Sequence, residues 1–167
     1  VERKNRFAKV YWEPRQRRGI SLFDAENLMR ERNYFAAMMV NQGEADALLT
    51  GYSRSYPSVV KPMLQLIDKE PGVSLIATTN MMMTSRGPMF MSDTAINTNP
   101  TSEELAKIAI MTAKAAKLFG VEPVIAMISF SNFGSSSNDS ANKVREAVDY
   151  LHKNHPEMII DGEVQAD

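Results

Sequence analysis

The run Val124-Ile125-Ala126-Met127-Ile128-Ser129-Phe130, the polar loop Ser131 to Ser140, the segment Ala141 to Asn154 and the apolar run Met158-Ile159-Ile160 together decide the fold class. The first run is apolar and strand-forming, and the loop behind it is rich in Ser, Asn and Gly. Ala141 to Asn154 reads as an amphipathic helix, and Met158 to Ile160 as a second strand. Strand, loop, helix, strand is the βαβ unit of a parallel sheet, because a crossover is needed to bring the second strand alongside the first. The expected class is therefore α/β.

Outward from this unit the chain alternates in the same way. Thr101 and Glu104 form a capping box, after which Leu105, Ile108, Ala109, Thr112, Ala116 and Phe119 fall on one helix face and Gly120 closes the helix. Val73 to Thr84 and Met89 to Ile96 are β-prone runs joined by Ser85-Arg86-Gly87-Pro88, a turn composition that predicts a β-hairpin. Pro71-Gly72 punctuates the chain ahead of them. In the first part, a basic helical stretch from Asn5 to Arg18 is interrupted by Pro14 and ended by Gly19. Ser21 with Asp24 predicts a capped helix through Arg32, Tyr34 to Gln42 a second helix, Ala45 to Thr50 a short strand, and Ser58 to Lys69 a helix that tolerates Pro62. Val1 at the start and the strand-like exit from Asp161 to Asp167 are what a piece cut from a longer chain would show.

Composition bounds the function classes. With 44% hydrophobic and 23% charged residues the chain has the balance of a globular protein. The absence of cysteine excludes disulfides, thiolate metal sites and a cysteine nucleophile. No apolar run approaches the ~18 residues of a membrane span, so the expectation is a cytoplasmic protein with no membrane partner. The net charge of −1 hides an asymmetry: residues 1 to 20 hold seven basic side chains against Glu2 and Glu13, a local +5, which leaves −6 for the rest. Such a segment attracts a polyanion or a small phosphorylated ligand, or is a solvated helix face. No nucleic-acid motif accompanies it, and no nucleic acid is expected as a partner.

Ligands of a parallel sheet bind outside the carboxyl ends of its strands, in the strand-to-helix loops. Two loops qualify. Gly51 to Pro57 offers Ser53, Arg54, Ser55 and helix-end amides, groups suited to a phosphate. Ser129 to Asn138 offers Ser131, Asn132, Gly134 and Ser135 to Ser137 in the same topological position. Either composition also serves ordinary connection and capping. His152 and His155 lack the carboxylate or cysteine that would complete a metal set, and Gly51-x-Ser53 lacks the second glycine of a hydrolase elbow. Twelve methionines, among them Met81-Met82-Met83, read as adaptable core or interface filler.

Four segments, Glu44-Ala45-Asp46-Ala47-Leu48, Lys61-Pro62-Met63-Leu64-Gln65, Met91-Ser92-Asp93-Thr94-Ala95-Ile96-Asn97 and Ile160-Asp161-Gly162-Glu163-Val164-Gln165, resemble successive signatures of the phosphate acetyltransferase and butyryltransferase family. They stand in family order over nearly the whole chain. Gln16-Arg17-Arg18-Gly19 and Ser129-Phe130-Ser131-Asn132-Phe133-Gly134-Ser135-Ser136 resemble, within it, the domain fused to the C-terminal end of bacterial NADP-dependent malic enzymes.

The resemblance implies two α/β subdomains with a cleft between them, mostly parallel sheets plus a β-hairpin. Residues 1–72 would belong to the first and 73–167 to the second, with the Ser53 and Ser131 loops opening toward the shared crevice. It implies acetyl-CoA or CoA as ligand, and a homodimer or higher homo-oligomer. Arg15 matches a family arginine associated with coenzyme A, and Lys61 stands where transferases have arginine, which keeps the charge but loses the bidentate fork. With the loop residues, the expected ligand set is Arg15, Ser53, Arg54, Ser55, Lys61, Ser131, Asn132 and Ser135. The family's Asp-Leu-Ser-Arg-Gly type motif is not in these residues, so no catalytic residue is expected. In the malic-enzyme fusions such a domain would sense acetyl-CoA and assist assembly, while NADP and a divalent metal would belong to a separate domain; the alternative implied is the middle part of an active phosphate acetyltransferase.

Overall fold

In the computed structural model, which describes residues 1–166, helix α1 spans Glu2–Trp12 and stops just before Pro14, whose ring and missing N–H cannot continue it. A single 3-10 turn, Gln16–Arg18, follows, and Gly19 ends it in the left-handed region at φ 83°, where a side chain would be strained. Ser21 opens helix α2 (Leu22–Leu28) as expected: its hydroxyl accepts from the Asp24 amide and the Asp24 carboxylate accepts from the Ser21 amide. This helix stops short of the expected Arg32, because Glu31 caps a new one, α3 (Arg32–Asn41), by accepting from the Asn33 and Tyr34 amides. Helix α4 (Tyr56–Leu66) carries Pro57 in its first turn and Pro62 inside.

These helices form one compact unit, Val1–Pro71. Its core is Phe7, Ala8, Tyr11, Ala25, Met29, Tyr34, Ala37, Met38 and Leu66. The expected strand Ala45 to Thr50 lies outside any ladder and bends at Asp46. A strand exists only where a neighbour accepts its hydrogen bonds, and among the described residues this unit supplies no such neighbour. Leu48 still packs on the core while Leu49 is fully exposed.

The second unit begins at Gly72 and holds the strands. Strands β1 (Thr79–Thr84) and β2 (Gly87–Ser92) pair antiparallel from Thr79↔Ser92 to Thr84↔Gly87. The turn is two residues, Ser85-Arg86, tighter than the four expected, because Gly87 and Pro88 already lie in the ladder. Val73 to Thr78 does not pair; the Thr78 amide and hydroxyl donate to Asp93 instead. Cross-strand pairs share a face, so Met81 sits beside Phe90 and Met82 beside Met89. The Phe90 ring meets Phe119 at 5.8 Å, and Met82, Met89 and Met91 are each nearly half exposed.

Helix α5 (Ser102–Leu118) starts at the expected Thr101–Glu104 capping box. Its buried face is Ala106, Ile108, Ala109, Ala113 and Ala116, whereas Phe119, expected on that face, is largely exposed beyond the helix end. Strands β3 (Val124–Ile128) and β4 (Ile159–Val164) pair parallel across helix α6 (Asp139–Asn154), the βαβ unit read from the sequence. Ala106, Ala109, Met127, Val144, Ala147, Val148, Leu151 and Ile160 close this core. The whole is a mixed α/β fold with a parallel sheet and an antiparallel hairpin. No described helix is long and apolar enough to cross a membrane. Asp167, the last residue of the expected strand exit, lies outside the described residues.

Candidate functional site

The β3/β4 ladder breaks register near the carboxyl end of the strands: Met127 pairs with Gly162, but Ile128 pairs with Val164. Glu163 is the extra residue of that bulge, and bulges re-aim side chains. Gly162 permits the crowding, since a Cβ there would stand 2.6 Å from the Met127 carbonyl oxygen. Glu163 is fully buried. Its Oε1 accepts from the Ser131 hydroxyl at 3.0 Å, the Gly134 amide at 3.0 Å and Arg145 Nη1 at 3.3 Å. Burial pushes this carboxyl up, but the Gly134 amide, the Ser131 hydroxyl, its own amide and the Arg145 guanidinium outweigh it and hold it below the usual carboxylate range.

The first part of the loop after β3, Ser129 to Gly134, is bound to the strand exit. The Ser129 amide donates to Val164 and the Phe133 amide to the Glu163 carbonyl, each at 2.9 Å. Asn132 exchanges two bonds with Gln165, at 2.7 and 2.8 Å, and Gln165 Nε2 donates to the Phe130 carbonyl at 2.7 Å. Ser135 Oγ lies 2.9 Å from Ser131 Oγ and accepts from the Asn132 amide. The structure thus brings Ser131, Asn132 and Ser135 together, with Ser131 buried and the other two exposed. Sequence reasoning missed Glu163, Arg145 and Gln165 as parts of this constellation. The available signal was Gly162 beside Glu163 inside a strand run, since a glycine within a strand often marks a bulge.

Arg15 lies in the helical unit, where Nη1 donates to the Tyr11 carbonyl at 3.0 Å, Nη2 to the Gln65 carbonyl at 2.5 Å, and the guanidinium stacks 4.3 Å from the Tyr11 ring centre. Gln65 Oε1 in turn accepts from Tyr34 at 2.8 Å and from Tyr11 at 3.4 Å. Arg15 therefore ties the end of α1 to the Lys61–Gln65 signature on α4, and two of its five donors are committed there. Lys61 is exposed on α4. Ser53 and Arg54 are exposed in the preceding loop, and Ser55 is the α4 N-cap, its hydroxyl 3.2 Å from Ser58 Oγ. The Arg54 and Lys61 cations have no partner among the described residues. Part of the remaining basic segment is engaged otherwise, since Arg3 and Arg6 both pair with Glu44.

The signature Met91 to Asn97 proves to be architectural. The Asp93 carboxylate accepts from the Thr78 hydroxyl and amide, the Ala95 and Ile96 amides, and both the amide and side chain of Asn97. Burial pushes Asp93 up, but these donors together hold it well below the ordinary range. His152 Nε2 bonds with the Ile160 carbonyl oxygen at 2.9 Å, and His155 approaches Glu157 at 3.3 Å. Among the described residues no group of three or more His, Cys, Asp or Glu could hold a metal.

The family described as "Phosphate acetyl/butaryl transferase" matches residues 1–167. The phosphate acetyltransferase of Clostridium acetobutylicum is 37% identical over 96% of this chain and 50% of its own length. The NADP-dependent malic enzyme of Salmonella typhimurium is 38% identical over 94% of this chain and 21% of its own length. A crystal structure of a phosphotransacetylase from Streptococcus pyogenes superposes with a TM-score of 0.79 at 38% identity, over 99% of this chain and 50% of that one. The chain thus spans about half of some relatives and about a fifth of others. With the family profile matched from end to end and the fold shared with a phosphotransacetylase, this chain belongs to the phosphate acetyl/butaryl transferase family.

Proposed function

We propose that this chain is an acetyl-CoA-binding, regulatory and self-associating domain of the kind fused to NADP-dependent malic enzymes. The observation that carries the reading is a set of cations and donors on the two segments expected to meet the ligand. Arg15 keeps part of its donor fork unspent, and Arg54 and Lys61 stand exposed near the N-terminal turns of α4. Coenzyme A is polyanionic, so its phosphates suit these residues. The Ser53 and Ser55 hydroxyls flank Arg54, and the loop of Ser131, Asn132 and Ser135 offers a second, rigid polar surface. NADP and a divalent metal belong, in this reading, to a separate catalytic domain. Self-association is assigned to apolar surface on the hairpin, where Met82, Met89 and Met91 stand on one face.

A second reading, the middle part of an active phosphate acetyltransferase, is favoured by the 37% identity over half of the clostridial enzyme. One pair of assays separates them. Acetyl-CoA should raise the melting temperature of the chain, since a ligand that binds only the folded state stabilises it, while the longer protein that both readings imply yields no acetyl phosphate from acetyl-CoA and phosphate. Formation of acetyl phosphate would put the transferase reading first. No thermal shift at any acetyl-CoA concentration would remove both.

A further inference from the structure

We infer that Glu163 is a positioning residue of the loop Ser131–Ser135: one buried oxygen gathers Ser131, Gly134 and Arg145, and the loop's contribution to binding depends on that acceptor and not on its charge. The bulge turns Glu163 out of the ladder, and Gly162 makes room for it. Oε1 alone takes the three bonds, from the Ser131 hydroxyl, the Gly134 amide and Arg145, while Oε2 is buried with no hydrogen-bond partner. Only one of the three donors, Arg145, is a cation, and it is the most distant at 3.3 Å; the Ser131 hydroxyl and Gly134 amide, each at 3.0 Å, are neutral donors that an amide oxygen would satisfy as well. Arg145 is also anchored without the carboxylate, through the Ser136 carbonyl oxygen and Asn142 Oδ1. Removing the acceptor, by contrast, takes the side-chain partner from the Gly134 amide and leaves the Ser131 hydroxyl with Ser135 Oγ alone, so the two groups lose the oxygen that joins them to the strand. Asn132 and Ser135 are both exposed, so Glu163 acts on binding through them.

The ligand half of this inference rests on the acetyl-CoA reading above; the loop half does not. The test compares wild type, Glu163→Gln and Glu163→Leu by amide hydrogen exchange at Gly134 and by acetyl-CoA titration. Glu163→Gln should keep Gly134 protected and bind within about two-fold of wild type, whereas Glu163→Leu should lose the protection and bind at least about ten-fold more weakly. Ser131→Ala, which removes one donor and leaves the acceptor, serves as a milder variant should Glu163→Leu fail to fold, and should speed Gly134 exchange without abolishing it. Loss of protection in Glu163→Gln as great as in Glu163→Leu would overturn the inference, because charge would then hold the loop. Unchanged exchange and affinity in Glu163→Leu or Ser131→Ala would overturn it equally. The expected exchange pattern with no acetyl-CoA binding by wild type would sustain the loop half and refute the functional reading.

Discussion

Asp93 shows what one carboxylate does when backbone amides converge on it. Six donors from Thr78 and from Ala95 to Asn97 meet its two oxygens, and hydrogen bonds to a charged group each contribute about 1.5 to 3 kcal/mol. Asp93→Asn keeps the shape but loses the charge and turns one acceptor into a donor facing donors. It should lower stability by about 2 kcal/mol or more at neutral pH, read by denaturant unfolding. The pH dependence follows from a depressed folded-state pKa. That contribution is present above the ordinary carboxylate pKa of about 3.9 and is lost as pH falls through the lower folded value. The stability gap between wild type and Asp93→Asn should therefore narrow only below about pH 4; a gap that closes between pH 7 and 5 would show that Asp93 is not the group responsible. Arg15 belongs at this scale too. Since it also bonds the Tyr11 and Gln65 carbonyls, Arg15→Ala should cost stability as well as affinity, and Arg15→Lys separates the two by keeping the charge without the planar fork.

At the scale of elements, caps and glycines carry the predictions. Thr101→Ala removes the side-chain acceptor for the Glu104 amide and should cost about 1 kcal/mol, measured as a lowered melting temperature. Gly162→Ala would force a methyl against the Met127 carbonyl at φ 149° and should cost about 2 kcal/mol or more; a neutral result would mean that the bulge relaxes freely. Much at this scale was legible in the sequence. Both capping boxes, the Pro14 break, the hairpin and the βαβ unit were readable because each is set by local chemistry. The misses have a common cause. Ala45 to Thr50 has strand composition but no partner, Val73 to Thr78 stays outside the ladder with Thr78 bonded to Asp93, and Glu163 belongs to the candidate site only because a register shift aims it there. Pairing and register are long-range facts that composition does not carry. The loop residues Ser131, Asn132 and Ser135 were visible, but their mutual bonds and their dependence on Gln165 and Glu163 were not.

For the whole molecule, self-association and ligand binding are the two properties to test. Light scattering at micromolar concentration should give the mass of an oligomer, and replacing Met82 and Met89 together by Glu should give a monomer, because like charges on an apolar face oppose its burial. A wild-type monomer would remove the hairpin from any interface. That Arg15, Arg54 and Lys61 meet the phosphates of coenzyme A is tested most directly by calorimetric titration of acetyl-CoA into wild type and Arg15→Lys at low and high salt. The account predicts saturable binding that weakens as salt screens exposed charges, over ~10 Å at 0.1 M. It also predicts roughly ten-fold weaker binding by Arg15→Lys at low salt, where the bidentate contact is lost. Binding of equal strength in both proteins and at both salt concentrations would contradict it, and would leave the basic segment a solvated helix face.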